Sequence, residues 1–155
     1  ERLEPIYKKQ MKITSSVTKA MDQIREAKSI ITSVNKMLDV KTNKSHKALQ
    51  KSGKAMSDSL KILEELIVNK KGLQGIVRSP DILSAKIQGI GRYLYSNSTG
   101  PNTSNEYLLN YSEAETKKVL SQVNQFFLND WQEYQSKVED AELSLFKSYQ
   151  TIKID

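Results

Sequence analysis

From Ile6 onward, apolar side chains return in alternating steps of four and three residues. Positions 6, 10, 13, 17, 20, 24, 27, 31, 34 and 38 read Ile, Gln, Ile, Val, Ala, Ile, Ala, Ile, Val and Leu, and Gln10 alone interrupts the row. A repeat of this kind keeps one stripe of a helix against its neighbours in a left-handed bundle. Pro5 suits the first turn, where its missing amide has no helical acceptor to lose. The pattern predicts helix over 5–39. Lys41 to Ser45 is polar and aperiodic, as a turn between antiparallel neighbours should be. A second stripe, Leu49, Met56, Leu60, Leu63 and Ile67, predicts helix over 46–68, with Ser52 and Gly53 a weak spot within it.

Residues 70–78 hold Gly72 and Gly75 without a sustained period and read as a structured loop. Ser79-Pro80-Asp81 then combines an N-cap, a first-turn proline and an acid at the positive end of a helix. Helix is expected over 80–96, burying Ile82, Leu83, Ile87, Ile90 and Leu94. Gly89 and Gly91 each cost this short helix about 1 kcal/mol relative to Ala, which implies close approach of another backbone. Residues 97–102 form the clearest break, and Thr103 to Glu106 fits a capping box. The last helix is expected from 103 to about 148. Its later seam, Leu120, Val123, Phe127, Trp131, Tyr134, Val138, Ala141 and Leu145, again steps in threes and fours, while the earlier Leu108, Tyr111 and Ala114 are less regularly spaced and place a kink near 112.

These elements predict one domain over 1–155. It is all-α, an antiparallel up-down-up-down four-helix bundle. At 1.5 Å per residue the long first and last helices reach about 52 and 69 Å, against about 35 and 26 Å for the inner two. The long pair should therefore project beyond the body as a stalk carrying both termini.

Composition narrows the chemistry. With 37% apolar and 27% charged residues, 6 Gly and 3 Pro, the chain is neither disordered nor a turn-rich sandwich. The lack of cysteine excludes disulfides, thiolate metal sites and thiol catalysis, and the single His46, set among lysines, reads as a surface residue. No Glu-x-x-His pair exists to build a di-iron centre in the bundle. Glu64-Glu65 and the acids at 139, 140 and 142 lie along single helices, whereas glycoside hydrolysis needs carboxylates on opposite sides of one sugar. There is no Gly-rich phosphate loop and no Gly-x-Ser-x-Gly elbow. No catalytic residue, metal or cofactor is therefore expected. No apolar run reaches the roughly 18–20 residues of a membrane span. The opening Glu1-Arg2-Leu3-Glu4-Pro5 has neither an initiator Met nor a signal-peptide profile, so the segment reads as part of something longer.

Charge is unevenly spread. Residues 1–60 carry 13 basic and 6 acidic side chains, and residues 104–155 carry 5 basic and 9 acidic. The two ends of the chain should attract each other when packed side by side. The lysines near 41–54 lack the arginine and aromatic residues of nucleic-acid-binding motifs, which makes a solvated face the expectation, ahead of salt-sensitive binding to polyanions.

Several strings carry a resemblance. They are Lys71-Gly72-Leu73-Gln74-Gly75-Ile76, the run Arg78 to Ile87, Tyr93-Leu94, Gly100-Pro101-Asn102, the run Asn124 to Tyr134, and Leu145 to Tyr149. Together they resemble the C-terminal helical region of large secreted bacterial proteins built on a sortilin-like β-propeller of bacterial neuraminidase repeats, often labelled glycosyl hydrolase. The resemblance implies an extracytoplasmic, non-catalytic accessory domain. Its partner would be its own N-terminal β-propeller or another protein, with no nucleic acid and no membrane span. The propeller repeats, marked by Ser-x-Asp-x-Gly-x-Thr-Trp, do not occur in this chain. The family label leaves a second expectation, a carbohydrate-binding or hydrolase-associated domain with Trp131 stacking on a glycan. Candidate protein contacts are Leu73, Ile76, Tyr95 and Phe126, each apolar and off its helix seam.

Overall fold

Helix α1 spans Leu3–Met37, and the stripe read from its spacing is buried from Ile6 to Val34, Gln10 included. Helix α2 follows over Lys44–Ile67, starting where the Asn43 side chain accepts the free amides of Ser45 and His46. The turn before it is fastened by the Asp39 amide, which donates to Nδ1 of His46 at 3.0 Å. Helices α3 (Leu83–Ser96), α4 (Thr103–Leu128) and α5 (Asp130–Asp140) complete the chain. The computed structural model describes residues 3–68, 82–96, 102–146 and 151–152 and is an all-α bundle, with no strand among these residues. The expected Ser79-Pro80 helix start lies outside the described residues. At α4 the capping side chain is Asn102, whose Oδ1 accepts from the Asn105 amide at 3.0 Å, one position before the expected Thr103.

Contacts fix the directions. Lys9 Nζ meets the Glu113 carboxylate at 2.6 Å and Asn110 Oδ1 at 2.8 Å, while Ala27 and Ile30 line a groove with Phe127 and Trp131. The rod formed by α4 and α5 thus runs parallel to α1. Helix α2 returns along the second half of α1, with Lys28 paired to Glu64. Helix α3 covers the first half. There Gln10 Nε2 donates to the Ile87 carbonyl at 3.2 Å, and the Tyr7 and Tyr95 rings stack with centroids 5.2 Å apart.

Helix α1 and the rod made by α4 with α5 lie side by side, and Lys9 with Glu113 supplies an attraction of the anticipated sign between the basic first part of the chain and its acidic last part. The cross-section holds three rods. With 24 and 14 residues, α2 and α3 together give about 57 Å of helix, against about 52 Å for α1 and about 56 Å for α4 with α5. The two short helices occupy one position end to end and point the same way. The reason is burial. The stripe of α1 from Ile6 to Val17 extends beyond the reach of α2, and α3 lies over it. Among the described residues, α3 covers the part of α1 that the expected two-helix stalk would have left bare.

The last rod is broken at Asn129, which adopts φ −114° and ψ −81°. The fully buried positions of α4 run 105, 109, 112, 116, 123 and 126, a series whose next members would be 130 and 133, yet beyond the break 130 and 133 are exposed while 134 is buried and 131, 138 and 141 are half-buried. The seam slips by one residue between the two series, and a straight helix cannot keep both facing inward. The interruption therefore falls at 129 rather than near 112. The α5 helix ends at Asp140, well before 148, and Leu145 is 81% exposed instead of continuing the seam.

Close helix approach occurs at Gly53. A Cβ there would lie 3.3 Å from Asn35 Oδ1, 3.3 Å from the Tyr134 hydroxyl and 3.4 Å from Ile31 Cγ2. At Gly89 a Cβ would meet nothing within 4 Å, and at Gly91 only Gln10 Nε2 at 3.7 Å. The approach expected at helix 3 is thus found on α2, where the weak spot in the stripe admits the Tyr134 ring tip.

Candidate functional site

The slip in the α4–α5 seam determines which aromatic side chains stay inside. Phe126 and Tyr134 are buried, while Phe127 and Trp131 are half-buried on the side facing α1. Their rings form a chain from core to surface. Phe126 and Phe127 pack edge to face at 5.2 Å, Phe127 and Trp131 at 5.9 Å, and Trp131 lies 5.5 Å from Tyr134. Opposite them, α1 presents Gln23, Glu26, Ala27 and Ile30, and the two helices enclose a surface groove of about 500 Å³. Leu128 at its rim is 72% exposed, and Ile30 is 43% exposed. Among the described residues that line it, Glu26 is the only one that is charged. The polar groups there are otherwise the amides of Gln23, Asn124 and Gln132, which both donate and accept.

The sequence candidates fall differently. Phe126, expected to make contacts outside the bundle, is 6% exposed and sits in the core. Its neighbours Phe127 and Leu128 turn outward instead, because the seam reaches 126 from the α4 side before slipping. Tyr95 is 70% exposed as expected, although one of its faces stacks on Tyr7. Leu73 and Ile76 lie outside the described residues. Ile30 and Leu128 were missed. The cue in the sequence is an apolar residue directly beside a seam position, Ile30 before Ile31 and Leu128 after Phe127.

A second groove of about 520 Å³ runs between α1 and α3 past Met11, Ile87 and Tyr95. Buried Gln10 lies on its floor. Its Nε2 donates to the Ile87 carbonyl, and its Oε1 has no hydrogen-bond partner among the described residues.

The perturbed acids belong to ion pairs along the bundle surface. Glu113 accepts from Lys9 and then Lys117, and Glu115 from Lys118 and Lys86. These hydrogen bonds lower each carboxyl to about 2. Burial raises the Tyr134 hydroxyl. Asp39, held by the Thr42 hydroxyl and backbone, is also lowered. Among the described residues, no group of three or more His, Asp or Glu side chains converges to hold a metal ion. None of the described helices is long and apolar enough to cross a membrane.

Comparison with protein-family models, with curated proteins and with solved structures gave no match. The surface of the bundle is therefore what points to a role. Its most distinctive part is the groove between α1 and the α4–α5 rod, where exposed aliphatic side chains adjoin an aromatic cluster and almost no charge.

Proposed function

We propose that this domain is a non-catalytic helical interaction module. It docks on the β-propeller that would precede it in a secreted bacterial protein, or on a neighbouring protein. The contact surface is the groove between α1 and the α4–α5 rod. The observation that carries this reading is the pairing of Leu128 and Ile30, both exposed, with half-buried Phe127 and Trp131. Burying such side chains is favourable at roughly 25 cal/mol per Å² of apolar surface, and clustered aromatic residues are frequent anchors of protein interfaces. The flanking amides can satisfy the backbone groups of a docked segment without placing an unpaired charge in the contact. The extracytoplasmic location follows from the propeller resemblance and forms part of the proposal.

The competing reading is a carbohydrate-binding or hydrolase-associated domain. Stacking on a sugar needs a free aromatic face. The Trp131 ring is already contacted by Phe126, Phe127 and Tyr134, which favours the protein-docking reading.

As the only tryptophan, Trp131 provides a reporter inside the groove. Titrating the domain with the purified propeller should shift its fluorescence saturably. Leu128→Glu should weaken that binding at least about tenfold with helix content unchanged. Binding that ignores Leu128→Glu would remove the groove from the account. A glycan panel assayed in parallel should give neither hydrolysis nor saturable binding. Glycan binding abolished by Trp131→Ala would replace the docking function by the competing one.

A further inference from the structure

Helix α3 combines a weak helical sequence with a polar bed. It has 14 residues, and Gly89 and Gly91 lie within it. Each interior glycine lowers the formation constant of a helix about fivefold relative to alanine. Packing does not compensate. Among the described residues, a Cβ at Gly89 would meet nothing within 4 Å, and one at Gly91 would meet Gln10 Nε2 at 3.7 Å, an ordinary contact. Gly53 on α2 differs, because Tyr134 and Asn35 crowd the space its side chain would need.

The surface beneath α3 is unusual for a core. Helix α3 runs antiparallel to α4, with Lys86 Nζ 2.9 Å from Glu115 near its start. From that level back to its own N-terminus, α4 turns Asn105, Ser112 and Thr116 inward, and Gln10 of α1 joins them. All four are at most 6% exposed, and Asn105 Oδ1, Ser112 Oγ, Thr116 Oγ1 and Gln10 Oε1 have no hydrogen-bond partner among the described residues. A buried polar atom left unpaired penalises the closed state, and water satisfies it once the cover is lifted. Helix α2 lies beside α4 farther along, at Gln122 to Phe126, so the cover over these atoms is α3. Toward α1, the groove past Met11 and Tyr95 holds α3 at a distance, and it is crossed by the Gln10 amide on the Ile87 carbonyl and by the stacked Tyr7 and Tyr95 rings. Burial of Leu83, Ile87, Ile90 and Leu94 is what keeps α3 down.

We infer that α3 is a displaceable strap. It lifts from α1 and α4 as a unit while α1, α2 and the α4–α5 rod stay folded, and it thereby uncovers the α1 stripe from Ile6 to Val17. The remainder stands without it, because α2 closes the second half of the bundle, with Lys28 on Glu64 and with Gly53 against Tyr134. The lifted form hydrates the four unpaired polar atoms and gives up the burial of four aliphatic side chains. It is a minor state, reached more easily than global unfolding. The uncovered stripe lies toward the other end of α1 from the Leu128 groove, so lifting of α3 and docking at that groove are separable.

Hydrogen exchange of the unaltered chain, followed amide by amide in increasing urea, tests the strap. The central α3 amides, from Ile87 to Leu94, should exchange at least about tenfold faster than the slowest amides of α2, through an opening that low urea barely changes. Exchange of these amides only through the global transition would overturn the inference. Thiol labelling reads the same opening, because the chain has no cysteine of its own. Ser112→Cys and Val123→Cys each place one thiol on the buried face of α4, the first under α3 and the second beyond it. Labelling should be at least about tenfold faster at 112. Leu63→Ala, which opens a cavity under α2, should speed labelling at 123 and leave 112 unchanged, while Gly89→Ala should slow labelling at 112 about fivefold. Equal rates at the two positions, a rate at 112 that rises with Leu63→Ala in step with 123, or one indifferent to Gly89→Ala would each overturn it as well.

Discussion

The contact at Gly53 sets two effects of similar size against each other. Glycine within a helix costs about 1 kcal/mol relative to alanine, so Gly53→Ala would stabilise α2 by that amount if space allowed. The added methyl would sit 3.3 Å from both Asn35 Oδ1 and the Tyr134 hydroxyl, tighter than ordinary van der Waals contact on two sides, with Ile31 Cγ2 at 3.4 Å closing a third. Tyr134 is 2% exposed and its ring is braced by Trp131, so relief requires α5 to move away from α2. Overpacking of this kind costs about 1–3 kcal/mol. The expected net effect of Gly53→Ala is a loss of about 1 kcal/mol, read as a fall of about 2–4 °C in Tm for a chain of this size. In a Tyr134→Phe background one of the three obstacles is gone. The hydroxyl that is removed has no hydrogen-bond partner, so Tyr134→Phe alone should be nearly neutral. There, Gly53→Ala should become neutral or stabilising, giving a coupling of about 1 kcal/mol in a double-mutant cycle followed by urea denaturation. Stabilisation by Gly53→Ala in the parent chain, or no coupling to Tyr134, would refute the close approach.

Two further outcomes follow from the same geometry. Gly89 faces open space within α3, so Gly89→Ala should raise stability by up to about 1 kcal/mol; a thermal melt showing a loss would contradict the openness of that site. Lysine hydrogen bonds hold the carboxyls of Glu113 and Glu115 at about 2, against the ordinary 4.5 of a glutamate. Their contribution is present above pH 4.5 and is lost as pH falls toward 2, and Glu113→Gln with Glu115→Gln should flatten the stability profile in that window while leaving the slope above pH 6 unchanged.

The parts of the fold legible in the sequence are those where greasy side chains fill the seam. In α1 every stripe position is buried, and even the interruption at Gln10 lies inside, its amide bonded to the Ile87 carbonyl. The first half of α4 was illegible for the converse reason. Its buried positions include Asn105, Ser112 and Thr116, polar residues that a hydrophobic count discards in favour of Leu108, Tyr111 and Ala114. The site was displaced by the same ambiguity at closer range. From Val123, a step of three reaches Phe126 and a step of four reaches Phe127, and both are apolar. The interruption at Asn129 lets the core take 126 from one helix and 134 from the next, leaving Phe127 and Leu128 to line the groove against Ile30. Spacing alone favours one series, because periodicity assumes an unbroken helix. The same break thus shapes both α5 surfaces: it turns the aromatic cluster toward α1 on one side and sets Asp130 and Asp140 beside α2 on the other. Restoring a continuous helix across 129 would require one of these two faces to rotate away from its neighbour.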